Sequence, residues 1–482
     1  MRRLKAERRR DPRLVAATVG AGLCAALLPH GPAVAAGNSD PYVYADSAQN
    51  VRAARNSTDA AELKVGGTYR SSIGTGPSGA AYYRVELDSA ANAYVSAVAV
   101  PPLGSGTKVS YADGITVVLK DSNGNRCDSE RATFRSGAYP RPIAAAAARL
   151  VRPGRLNCQT AGTYYVVVER KTDAESTRQT WGLELHVATE PGLVTAAPSR
   201  GPDTWPSASV PPPSGTGTLR RGGTGFNDAK ALTAGVWQDR IRPGQSHFYR
   251  VPVDWGQQLL LGTDLGSTAQ DTARNGFVPG ALDVELYNPA RATVVAKEAP
   301  YAGEPTGVAL DPLPPVAYEN RFLLRGDESA MRLAGWYYLK VTLNPAMAQK
   351  YGDKESGVTL RVGVEGEPQK APDYVRDPGE FQVTADDRKA AEDGEGGAVW
   401  SGGAGASGSG DSSGSSASSA APSASSSGSS TGGGSSASGG TASASSGSAA
   451  MTLLGVAGVG TGTALLLWLA AWRLVAVRRL RG

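Results

Sequence analysis

Ala161-Gly162-Thr163-Tyr164-Tyr165-Val166-Val167-Val168 and Ala334-Gly335-Trp336-Tyr337-Tyr338-Leu339-Lys340-Val341 are one phrase written twice. Each opens on a small residue and a glycine, then runs through aromatic and β-branched residues. That is the composition of a strand that starts at a turn. Working outward, the repetition continues in order on both sides. Tyr82-Tyr83-Arg84-Val85-Glu86-Leu87 matches Phe248-Tyr249-Arg250-Val251-Pro252-Val253, and Ile115-Thr116-Val117-Val118-Leu119 matches Leu282-Asp283-Val284-Glu285-Leu286. The chain therefore holds two related blocks, 37–190 and 224–366, with insertions falling in loops.

The matched segments alternate with period two. Tyr249, Val251 and Val253 face one way, and Phe248 and Arg250 the other. Leu282, Val284 and Leu286 oppose Asp283 and Glu285. Such alternation predicts sheets with one buried face and one wet face. The expected fold class is all-β, with two antiparallel, jelly-roll-like β-sandwich domains. Gly and Pro support this, at 61 and 31 of 482 residues, since they punctuate short strands.

Arg242-Pro243-Gly244-Gln245, Phe248-Tyr249-Arg250-Val251, Gly256-Gln257-Gln258-Leu259, the Leu282–Pro289 strand and the Ala334–Val341 phrase together resemble a bacterial pre-peptidase C-terminal domain. The resemblance covers 232–343 well and 63–187 more loosely. It implies small β-sandwiches that accompany secreted enzymes and surface proteins. Asn227-Asp228-Ala229 with Asp254-Trp255-Gly256-Gln257 also resembles stalk regions of actinobacterial surface proteins that carry a von Willebrand A domain.

The two ends read as addresses. Residues 1–36 have a basic start, the apolar run Leu14–Leu28 and the small-residue stretch Ala33-Val34-Ala35-Ala36, a signal peptide cleaved after Ala35 or Ala36. Met451–Trp472 is free of charge and at about 33 Å long enough for a transmembrane helix. Arg473, Arg478, Arg479 and Arg481 follow it in a basic tail, 473–482, that the positive-inside rule places in the cytoplasm. The expected localisation is a single-pass cell-membrane protein with its N-terminal ectodomain outside. Segment 191–223 is Pro-rich and predicts a semi-rigid linker. Segment 367–450 predicts a disordered stretch, acidic at Glu380–Glu395 and then a Ser/Gly/Ala stalk. The net charge of +5 comes from the two termini and leaves a mildly acidic body. A nucleic-acid binder concentrates basic charge on its folded surface, so that class is excluded.

Little in the chain suggests catalysis. Once the leader is removed, two cysteines remain, and an exported chain predicts a Cys127–Cys158 disulfide; the alternative is two free thiols. They cannot supply a zinc site without nearby histidines. His186 and His247 fall in different blocks and read as surface residues. Asp283 and Glu285, taken as outward, offer two of the six to eight oxygens that calcium takes, so no cofactor or metal is assigned. Trp336 and Tyr338 share the outward face of one strand and form the candidate binding surface. The expected function is a non-catalytic cell-surface protein presenting two sandwiches to an unknown surface protein. The alternative is a glycan or peptidoglycan binder using the outward aromatics, and an enzyme ranks third.

Overall fold

The computed structural model describes residues 41–394, apart from 105, 153, 196–197, 209–210, 212 and 268–275. The expected leader, stalk and transmembrane segment lie outside the described residues. Residues 41–394 fall within one compact unit.

The first block contributes β1 (Gln49–Asn50), β2 (Ala61–Glu62), β3 (Thr68–Ile73), β4 (Ala80–Leu87), β5 (Asn92–Val100), β6 (Gly114–Lys120), β7 (Arg126–Thr133), β8 (Ile143–Arg149), β9 (Gly162–Lys171) and β10 (Trp181–Glu190). The second contributes β11 (Thr218–Leu219), β12 (Lys230–Ala231), β13 (Gly235–Ile241), β14 (Ser246–Val253), β15 (Gln258–Leu265), β16 (Val278–Tyr287), β17 (Thr293–Tyr301), β18 (Thr306–Ala309), β19 (Gly335–Leu343) and β20 (Ser356–Glu365). They form four five-stranded sheets. In the first block the orders are β1-β3-β10-β5-β8 and β2-β4-β9-β6-β7. In the second they are β11-β13-β20-β15-β18 and β12-β14-β19-β16-β17. Adding ten to each strand of the first block gives the second, so the duplication extends to topology. The sheets are mixed, not purely antiparallel as expected. Each begins with a two-residue strand that runs parallel to its neighbour, as β1 does beside β3 and β12 beside β14.

The alternation read from the sequence sets the cores. Tyr249, Val251, Val253, Leu282, Val284, Leu286 and Tyr337 are buried together in the second block. Tyr83, Val85, Val117, Val166 and Val168 occupy matching places in the first. Gly162 and Gly335 open their strands at φ 138° and 132°, a region that side chains rarely adopt. That requirement explains why the repeated phrase begins on glycine.

The acidic stretch expected to be disordered is ordered through residue 394. After the short helices α1 (Gly326–Ala330) and α2 (Ala346–Tyr351), Ala385–Asp393 forms a third, α3, capped by a reciprocal Thr384–Asp387 capping box. Asp386 and Asp387 sit in its first turn, where carboxylates suit the helix dipole. Arg388 then reaches Asp254 at 2.6 Å. The Pro-rich segment is also tied down. Pro213 accepts a hydrogen bond from Arg361 Nη1 at 2.9 Å, and Pro206 accepts one from Gln258 Nε2 at 2.9 Å.

Candidate functional site

The outward face of the β12-β14-β19-β16-β17 sheet carries the two residues singled out as a binding surface, and that face is covered. Tyr338 is buried, in a cluster with Phe226, Phe248 and Tyr287 from its own block and Tyr42, Val98 and Ala144 from the first. Phe226 is the hub. Its ring meets Phe248, Tyr287 and Tyr338 edge-on at centroid distances of 5.2, 5.1 and 5.2 Å. Trp336 is half-buried. The Arg250 guanidinium lies 4.2 Å from its ring centroid, and its Nε1 donates to Asp387 at 2.7 Å. The pair thus shares a face as expected, but the first sandwich and α3 occupy that face and leave no open aromatic platform.

The covering surface is the outward face of the β1-β3-β10-β5-β8 sheet. Charged side chains from both blocks are buried where the two meet. Glu184 on β10 takes Arg291 Nη1 at 2.6 Å and also accepts from Tyr42 and Asn227. Glu190, at the end of β10, receives Arg321 through two bonds of 2.7 and 3.1 Å, with Asn92, Tyr94 and Tyr374 adding one each. In the other direction, Asp283 on β16 pairs with Arg141 of the first block at 2.8 Å, and with Arg135. Glu285 pairs with Arg135 at 2.6 Å and with Lys340 at 2.8 Å. Lys340 Nζ also donates to the Pro142 carbonyl of the first block at 2.9 Å. Carboxylates of each block therefore meet guanidiniums of the other. Asp283 and Glu285 are not wet, as the alternation alone implied. They sit under the first sandwich.

Burial by itself would raise the Glu285 carboxyl, but the charges of Lys340, Arg135 and Arg141 outweigh it and hold the group well below the usual carboxylate range. Glu190 follows the same logic. Burial pushes it up, the charge of Arg321 and the hydrogen bonds from Arg321, Tyr374 and Asn92 together pull it further down, and the net shift is downward. Desolvating so many charges makes the paired state close to neutral in energy, whereas orphaning one partner is costly. The arrangement therefore fixes how the blocks dock more than how strongly. Backbone conformation adds to this. Arg135, Ala138, Cys158 and Arg291 are the non-glycine residues with positive φ among the described residues, and Arg135 (53°) and Arg291 (58°) supply interface guanidiniums.

The histidines are interior groups, contrary to the surface reading. His247 is buried against Asp239 on β13, in the other sheet of its block. His186 lies on the docking face, with Nδ1 3.0 Å from Thr68 Oγ1 and Nε2 3.1 Å from Glu380. The disulfide joins Cys127 to Cys158, as the cysteine count suggested. No cluster of three potential metal ligands occurs among the described residues. No helix among them is long and apolar enough to cross a membrane.

Sequence reasoning missed Phe226, Arg141, Glu184 and Arg321. A usable signal was present in β8, Ile143-Ala144-Ala145-Ala146-Ala147-Ala148-Arg149, which is apolar on both faces and buried throughout. A strand with no polar side has both of its faces covered.

No family model matches the chain, and no curated protein matches it. Among solved structures, the pre-peptidase C-terminal domain of collagenase from Bacillus anthracis is similar at 18% identity, over 27% of this chain and 94% of that one, with a TM-score of 0.17. The ANX2 ectodomain from Arabidopsis thaliana is similar at 10% identity, over 63% and 85% of the two chains, with a TM-score of 0.18.

Proposed function

We propose that the chain is a non-catalytic surface protein whose two sandwiches form one rigid head for protein–protein contact outside the membrane. The observation that supports this reading best is the reciprocal ionic docking of the blocks. It commits one outward sheet face of each block to the other and holds the connecting loops on a stiff scaffold, open to a partner. Loops on rigid frameworks are where binding residues concentrate. Leu156, in the disulfide-closed loop, and Leu324, ahead of the short helix α1 (Gly326–Ala330), are fully exposed there. The Cys127–Cys158 bond suits an oxidising compartment. The Met451–Trp472 span would anchor the head, with the Ser/Gly/Ala stretch as its stalk.

Photo-crosslinkers placed at positions 156 and 324 of the full chain, in its native cell, test this reading. One recurring protein adduct is the expected result. Crosslinks to none, together with retention of the full chain on insoluble cell wall, would replace this reading with the glycan-binding one. Protease added to intact, wall-stripped cells should release the head; release only after lysis would overturn the orientation.

A further inference from the structure

A cleft of about 730 Å³ opens beside the docked face, between β7 and β8 of the first sandwich and β17 and α1 of the second. Arg152 and Arg155 line it from one block and Arg332 from the other. Burial, and then the charges of Arg155, Arg332 and Arg321, push the Arg152 guanidinium below its usual range. Arg321 is answered by Glu190, but the other three are not answered by a carboxylate. Among the described residues, Arg152, Arg155 and Arg332 make no ion pair. Arg152 Nη2 donates only to the Arg321 carbonyl at 2.7 Å, and Arg332 Nη1 to the Ser329 carbonyl at 2.9 Å. The Nε atoms of Arg152 and Arg332 are buried and have no hydrogen-bond partner. Three acids share the lining; Glu130 feels the charge of Asp128 and pairs with none of the three arginines, and the other two are turned elsewhere. Asp327 takes Arg325 at 2.6 Å, and Asp128 accepts the Ala148 amide at 2.9 Å.

We infer that this arginine end of the cleft is a binding site for a compact phosphate group, either inorganic phosphate or a phosphomonoester. Three guanidiniums brought together without a counter-charge repel one another, and a bound anion removes that cost. A carboxylate brings one charge and two oxygens. A phosphate brings nearly two charges and three strong acceptor oxygens, enough to serve donors arriving from three directions. The donors come from both sandwiches, so the bound anion would also bridge them. Leu156 of the contact proposed above lines the same cleft, but the phosphate assignment rests on the arginines and not on that contact.

The test is calorimetric titration of the detergent-solubilised full chain with inorganic phosphate, and separately with glycerol 3-phosphate, at constant ionic strength. Saturable binding of both is expected. Arg155→Gln and Arg332→Gln should each weaken it at least about tenfold, the scale of losing a charge-assisted hydrogen bond. Arg155 is exposed, so its replacement leaves the fold intact. Arg52→Gln, at an exposed position that does not line this cleft, should leave binding unchanged. Absence of saturable binding, or equal weakening by all three substitutions, overturns the assignment. So does capture by phosphatidylglycerol vesicles without binding of either soluble phosphate.

Discussion

Replacing Glu285 with Gln removes one charge and little volume. If the outward face of β16 were wet, as strand alternation alone implies, the change would cost within about 0.5 kcal/mol. The structure sets a different scale. Glu285 faces Arg135 at 2.6 Å and Lys340 at 2.8 Å, with Arg141 alongside, and Asp283 is the other carboxylate of that group. Three cations face these two buried carboxylates, with Glu298 a more distant third at 3.9 Å from Arg135, and the substitution leaves Asp283 as the one buried carboxylate among them. Breaking a buried pair by removing one partner costs about 3–5 kcal/mol. With roughly 350 residues unfolding together, the entropy of unfolding is about 0.7 kcal/mol per kelvin, so the midpoint should fall by about 4–7 °C. Thermal melts of the full chain, followed by circular dichroism, measure this. Glu304→Gln, at an exposed position outside the interface, is the control and should shift the midpoint by less than about 1 °C. Equal midpoints for the two variants would refute the buried ionic docking.

Residues 224–366 made alone should self-associate or precipitate, because Phe248, Tyr338, Asp283 and Glu285 lose their cover; size-exclusion chromatography gives the answer, and a stable monomer contradicts the docking. Mass spectrometry of the non-reduced protein should find Cys127 linked to Cys158. Reduction should cost about 4 kcal/mol for a separation of 31 residues. Glu190 is held below its usual range in the folded state, so its contribution is fully present above the unfolded value of about 4.3 and is lost as pH falls toward the lower folded value. Glu190→Gln should therefore lower stability at neutral pH and flatten its decline on acidification, as read from denaturant midpoints across the acid range.

Much of the fold was legible because it depends on local pattern. Period-two alternation in 282–286 and 248–253 separated the core side chains from the others without error. What lay beyond the sequence was what those others face. A charge on the outer side of a strand reads the same whether it meets water or Arg141, which is distant in sequence from Asp283. The aromatic pair failed for that reason, since Trp336 and Tyr338 share a face that the first block and α3 cover. The acidic stretch failed for another. Its composition suggested disorder, but the Thr384–Asp387 cap and the contacts of Asp387 and Arg388 decided its helix.

The docking has a directional sense. The sheet that the first block presents corresponds, strand for strand, to the outer sheet of the second, β11-β13-β20-β15-β18. The sheet that the second presents corresponds to the outer sheet of the first. The blocks are thus joined head to tail, an arrangement that does not close on itself and in principle extends without limit. Its growth is stopped by substitution at the equivalent positions. Where the docked face has Asp283, Glu285 and Lys340, the free face of the first block has Thr116, Val118 and Val167. Where the opposing face has Glu184, the free face of the second has Thr359. Glu365 keeps the place of Glu190, but the charges at 184, 283, 285 and 340 have no counterpart on the outer faces. The same repeat therefore builds a stack of two and keeps only a remnant of the ionic lock for a third block or a neighbouring molecule.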